Sequence, residues 1–268
     1  MDEFRIGFTE TETKPEYYGE IRARTTTSAD LYIYGDIVSR RPWYSSEENA
    51  QKSDAQWPSK VRDLLAQIKD VTQLNIYINS GGGVCFAGMA IYNMLARHKA
   101  HKTVYVDGLA ASMASIIALA GDKVVIPANA WMMIHQPWTI CWGNATDIEK
   151  EIAALRSIEE GMLAVYMAKA KPGVTKEAIL KMMVDETWMT GEEAAKYFNV
   201  ETTTASNAAA WLESEHYGQY KNAPREFIES AAKPAPQTQD VPQPPPGPKL
   251  ATAKDRLKLK LTTGGKRT

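Results

Sequence analysis

Four short runs rich in Ile, Val and Tyr punctuate the first half of the chain: LYIYGDIV (31–38), LNIYINS (74–80), KTVYVD (102–107) and KVVI (123–126). A segment with helical spacing separates each successive pair: KVRDLLAQIKD (60–70), FAGMAIYNMLARH (86–98) and the apolar stretch 112–120. Parallel strands need a long crossover between them, and a helix is the usual one. The alternation therefore predicts an α/β fold with a largely parallel sheet. WMMIH (131–135) reads as one further strand.

Beyond this the chain turns helical. In ATDIEKEIAALRSIEEGMLAVYMAKA (145–170), Ile148, Ile152, Leu155 and Ile158 recur four and then three residues apart, behind a Thr146/Glu149 capping-box spacing. A second helix is expected after Thr175, and a third at TGEEAAKYF, where Thr190 and Glu193 repeat the box. Residues 233–248 hold seven of the fourteen prolines and read as a semi-rigid linker. The tail 249–268 carries seven Lys/Arg against one Asp, about +6, which leaves about −7 on the remainder of a chain whose net charge is −1. The expected division is a poorly ordered N-terminal segment 1–28, a catalytic domain 29–200, an extension 201–232, the linker 233–248 and the basic tail 249–268.

Several classes of function are disfavoured. A net charge of −1 gives no global case for binding nucleic acid or an anionic membrane. The longest apolar run, LAASMASIIALA (109–120), is too short to span a bilayer, and the acidic N-terminus has no signal-peptide pattern. Cys85 and Cys141 are too few and too isolated for a disulfide framework or a zinc site, so a reducing cytoplasm is expected, with no metal and no cofactor.

Chemistry is concentrated in three places. INSGGGV (78–84) sets three glycines between a strand and a helix, without the spacing of a nucleotide loop or a dinucleotide fingerprint. Backbone N–H groups there suit an oxyanion hole as well as a tight turn. In GLAASMAS (108–115), Ser112 follows what reads as a glycine turn at Gly108, at the start of an apolar helix, where the Met113 N–H is a second candidate donor. Ser115 reads as packing. Of the four histidines, His98 and His101 lie on a polar helix boundary and His216 lies beyond the core, whereas His135 ends an apolar strand before QP, as a positioned general base would. Asp185 and Glu186, close to Trp188, are the acids placed to orient an imidazole. Residue chemistry alone leaves both. The order Ser, His, acid and the lack of a GxSxG elbow disfavour an ordinary α/β-hydrolase.

Six stretches in order, YIYGDI, INSGGGVCFAGMAIYNML, VYVDGLAASMASIIALAGD, WMMIHQPW, GNATDIEKE and ETWMTGEEA, together resemble the Clp-type serine peptidase family from about Leu31 to about Val200. GNATDI and ETWMTGEEA resemble its branch of phage head maturation (prohead) proteases in particular. The resemblance implies Ser112 as nucleophile, His135 as base, and the N–H groups of Gly82 and Met113 as oxyanion hole. It sets the acid at Glu186, where the family usually has Asp, which keeps Asp185 as a rival. Gly81 stands where the family commonly has proline, and YFNVETT replaces the usual ending.

The resemblance further implies a crotonase-like (Clp protease) fold of repeated βαβ units with a protruding helical handle at 146–170. It implies a ring-like homo-oligomer and a peptide cleft along Gly81, Gly83 and Val84. The function it implies is a serine endopeptidase that processes capsid or scaffold protein, its own chain included, inside the assembling procapsid in the host cytoplasm. The tail would then contact scaffold or portal. Two other readings are a housekeeping proteolytic subunit served by an ATPase on another chain, and a non-catalytic assembly scaffold of the same fold.

Overall fold

The computed structural model describes residues 21–25, 27–40, 55–204 and 220–224; the other positions, which include the Pro-rich linker, the basic tail and His216, lie outside the described residues. In chain order the elements are β1 (Ile21–Thr25), β2 (Ser28–Tyr34), α1 (Pro58–Gln67), β3 (Gln73–Ser80), α2 (Cys85–Arg97), β4 (His101–Ala111) and α3 (Met113–Ala118). There follow β5 (Lys123–Pro127), β6 (Trp131–Ile134), α4 (Ala145–Lys169), α5 (Lys176–Val184), β7 (Thr187–Thr190), α6 (Gly191–Tyr197) and β8 (Glu201–Thr203).

The expected parallel sheet is present. Its main path runs β1-β2-β3-β4-β5-β8, with every pairing from β2 onward parallel. On each strand Ile and Val alternate with polar or aromatic residues, and the period-two pattern puts Leu31, Ile33, Ile76, Ile78, Val104 and Val106 into one core at 0% exposure. The intervening positions stack Tyr32 on Tyr77 at 4.7 Å and Tyr77 on Tyr105 at 5.3 Å across three strands.

β1 departs from expectation, because Ile21–Thr25 lies within the segment read as poorly ordered. It pairs antiparallel with β2, an arrangement that only a tight hairpin is needed to form. β8 likewise extends the sheet past residue 200, into the expected extension.

The sheet forks at β4. Thr103–Tyr105 pair with β5, whereas Leu109–Ala111 pair with β6. The change of partner is made by an irregularity opposite β3, where Ile78 faces Val106 but Ser80 faces Ala110. Asn79 Oδ1 accepts the Leu109 N–H at 3.1 Å inside this irregularity, satisfying a donor the ladder leaves over. Gly108 therefore lies within a bulged strand rather than in the turn read from the sequence. The bulge redirects β4 so that its last residues run beside the strand that carries His135.

Helix boundaries follow their caps. Thr190 and Glu193 form the expected capping box, and Thr175 accepts from Ala178 N–H. For α4 the box is Asn144/Asp147, two residues before the expected Thr146/Glu149, because Asn144 holds the extended backbone of an N-cap. Over 25 residues α4 is about 37 Å long. Its buried side chains all come from its second half, Glu159 to Tyr166, while Ile148 and Ile152 are exposed. The first half thus projects as a handle, with Leu155 half-buried at the cleft and Ile148 and Ile152 left open.

Ile76 lies on an inner strand of the sheet and is fully buried. Ile76→Ala is expected to cost about 2–5 kcal/mol of stability, read as a lowered midpoint in chemical denaturation followed by circular dichroism.

Candidate active site

Ser112 is the whole of the connection between β4, which ends at Ala111, and α3, which begins at Met113. It makes this reversal at φ 52°, ψ −122°, in a region where a side chain is strained by about 1–3 kcal/mol. The sequence lacks the flanking glycines of a GxSxG elbow, yet an elbow is formed. The room comes from other elements. A Cβ on Gly82 would lie 2.7 Å from the Ser112 Cβ, and one on Gly88 would lie 2.8 Å from the Met113 Cβ. Glycine at those two positions lets the elbow sit against the 81–84 loop and α2.

The elbow directs Ser112 Oγ at His135 Nε2, 2.7 Å away. His135 follows the last residue of β6, and β6 is anchored beside Ser112 by Ala111 pairing with Met133 and by Ser112 N–H donating to Met133 O at 2.9 Å. Ser115 is buried, as expected of packing. It also donates to Ser112 O at 2.6 Å and lies 2.8 Å from the Tyr166 hydroxyl, which ties α3 to the handle helix.

The two candidate acids diverge. Asp185 is exposed, and its carboxylate is paired with Lys181 one turn earlier on α5. Glu186 is 8% exposed, adopts φ 51°, and turns inward. Its Oε1 accepts from Asn222 N–H at 2.7 Å and from Trp188 Nε1–H at 3.3 Å, and its Oε2 accepts from Lys221 N–H at 3.0 Å. These bonds account for three of about four lone-pair sites. Its charge acts on His135, although no hydrogen bond joins them. Burial holds the His135 pKa below its ordinary value near 6.5, and the Glu186 charge opposes that shift.

The expectation for Gly82 is corrected. Its N–H donates to Ser80 Oγ at 3.1 Å. Ile37 pairs alongside the loop, its N–H donating to Gly82 O at 2.7 Å and its carbonyl accepting from Val84 N–H at 2.8 Å. Peptide groups are planar and trans, so a carbonyl and the N–H it is bonded to point in opposite directions. The N–H and C=O of Gly83 must then face away from Ile37. Gly83 and Val84 line a cleft of about 420 Å³ with Ser112 and His135, and the Gly81 carbonyl accepts the Tyr220 hydroxyl at 2.5 Å. Met113 is the first residue of α3, so its N–H has no partner within the helix.

The remaining candidates lie elsewhere. His98, at the end of α2, is half-buried with its pKa lowered by burial, and His101 faces Asp122 at 3.7 Å. Burial raises the Cys85 thiol, which leaves little thiolate. Among the described residues no cluster of His, Cys, Asp or Glu is built to hold a metal ion, and no helix is long and apolar enough to cross a membrane.

Residues 28–203 match the Clp protease family. The chain belongs to the Clp protease family. Its α/β body with a forked, mostly parallel sheet is the crotonase-like fold of that family. A similar protein is the ATP-dependent Clp protease proteolytic subunit of Deinococcus radiodurans, 32% identical over 137 residues. The match covers 50% of this chain and 66% of that protein, so it spans just under two thirds of the relative's length.

Within this Clp protease site, sequence reasoning missed Tyr220, Lys221 and Asn222. They lie beyond the family match and carry no motif. It placed Gly83 only along the peptide cleft, because the direction of its N–H depends on what pairs with its neighbours.

The sign of the His135 shift gives a test. A folded pKa below the unfolded value means that the group contributes stability above the ordinary value, and that this is lost as pH falls through the lowered folded one. In an NMR pH titration His135 is expected to have its midpoint below 6.5, and Glu186→Gln should lower it further by removing the opposing charge.

Proposed function

We propose that this chain is a serine endopeptidase acting through Ser112, His135 and Glu186. Ser112 Oγ attacks the scissile carbonyl as its proton passes to His135 Nε2. That proton then leaves on the departing amine as the C–N bond breaks, and water resolves the acyl-enzyme by the same path in reverse. Glu186 stabilises the imidazolium formed on the way. The N–H groups of Gly83 and Met113 receive the oxyanion, each such donor contributing on the order of a hundredfold or more. The observation that carries the reading is the 2.7 Å Ser112–His135 hydrogen bond at a strained elbow opening on a cleft. A peptide would lie along Gly83 and Val84, whose opposite edge is already taken by Ile37.

For the substrate we infer capsid or scaffold protein, cleaved during phage head assembly. GNATDI and ETWMTGEEA support this branch, as do the 65 residues that follow the family match at 203 and contain the Pro-rich linker and basic tail. In this reading the tail addresses the protease to scaffold or portal, and the domain division is that expected from the sequence except that β1 and β8 carry the sheet beyond the 29–200 bounds. Exposed Trp138, Ile140, Trp142, Ile148 and Ile152 support self-association through the handle and the loop before it. A second reading, a proteolytic subunit dependent on an ATPase, is favoured by the name of the Deinococcus relative.

Ser112→Ala is expected to abolish processing of co-expressed capsid precursor, a loss on the order of a millionfold in kcat, while circular dichroism stays unchanged. Products read by mass spectrometry decide this, and continued processing by the variant would overturn the assignment. Degradation of unfolded substrate only with an added unfoldase would select the second reading. Glu186→Ala should lower kcat by up to about 10⁴-fold and Asp185→Ala far less; equal losses would leave the acid unassigned.

A further inference from the structure

Residues 220–224 are separated from β8 by positions outside the described residues, yet they pack directly on the site. Tyr220 is 8% exposed, and its ring meets His135 edge-on at 5.4 Å and Trp188 at 5.7 Å. Its hydroxyl reaches across to the Gly81 carbonyl of the glycine loop. Tyr220 also belongs to a small apolar cluster of its own with Leu109, Ala111 and Met133, flanked by Trp131 and Ala223. On the other side of the site, Lys221 and Asn222 give both backbone N–H groups to Glu186, and the Asn222 side-chain amide donates to Asp185 O at 2.8 Å. One short segment therefore touches the glycine loop, the histidine and the acid.

We propose that Tyr220–Asn222 form a strap that completes the active site, with Lys221 and Asn222 positioning Glu186 and Tyr220 walling the cleft beside His135. The inference deepens the peptidase reading and rests on its assignment of Ser112, His135 and Glu186. Glu186 sits at positive φ beside the exposed Asp185, and the other element that gives it a hydrogen bond is the Trp188 indole. Two N–H donors from the strap fix both carboxylate oxygens, so its orientation depends on the strap. The fourth lone-pair site stays open for an imidazolium proton. The Ser112–His135 bond is intact with the strap in place, and Tyr220 lines the cleft beside these residues, so the strap forms a wall of a working site.

The test uses the full chain. Asn222→Pro removes one N–H from Glu186, whereas Asn222→Ala keeps it and loses only the amide bond to Asp185. With a fluorogenic peptide, Asn222→Pro should lower kcat about 10- to 100-fold with KM moved by less than about threefold, and Asn222→Ala should recover most of that loss. Tyr220→Ala should act mainly on KM, and Tyr220→Phe, which keeps the ring, should fall between it and the native chain.

A second readout does not depend on catalysis. Releasing Glu186 from its orientation withdraws the charge that holds the His135 midpoint up, so Asn222→Pro should shift the His135 NMR titration midpoint downward, whereas Tyr220→Ala, which opens His135 to water, should shift it upward. An unchanged midpoint in both variants overturns the strap, and so does a gain in turnover, which would make the segment an inhibitory latch. Failure of a fluorophosphonate to label Ser112 in the native chain would sink the peptidase reading instead, and the titration would still decide whether the strap holds His135 and Glu186.

Discussion

The hydrogen bond between Ser112 and His135 depends on a backbone conformation that serine adopts at a cost. A strand and a helix meet with one residue between them, and that residue sits at positive φ. Local sequence does nothing to relieve this, since Ala111 and Met113 flank it. Relief comes from Gly82 and Gly88, whose missing side chains leave the volume the elbow occupies. Strain persists at a site only where surrounding structure over-determines it. Here the determinants are the β6 pairing, the Ser115 bond to the Ser112 carbonyl and a fully buried α3.

The fork in the sheet is the second determinant. A straight β4 would carry Ser112 along β5, away from His135. The irregularity around Asp107–Leu109, its spare N–H taken by Asn79, turns the end of the strand onto β6. Ser112 and His135 then occupy the ends of paired strands, where backbone hydrogen bonds fix their separation more firmly than loops would.

Charge is handled by burial and by backbone donors rather than by countercharge. His135 is kept toward its neutral form by desolvation, the state a base needs before it accepts a proton. Glu186, also buried, is met by N–H groups and not by a cation. A cation there would compete with the imidazolium that the proposed mechanism forms. Asp185, by contrast, spends its charge on Lys181 at the surface.

Much of the fold was legible because its signals are local. Period-two apolar runs gave strands, Thr175 and the Thr190/Glu193 pair marked helix starts, and the ordered motifs set Ser112 and His135 in one family pattern. What tertiary structure alone decided lies in contacts between residues distant in sequence. Glu186 rather than Asp185 faces inward because the 220–222 segment supplies its donors. Gly83 rather than Gly82 faces the cleft because Ile37 and Ser80 occupy the neighbouring peptide groups. Adjacent residues of like chemistry look alike in a sequence; direction is set by the hydrogen-bond partners that packing brings to each one, and no periodicity records those partners.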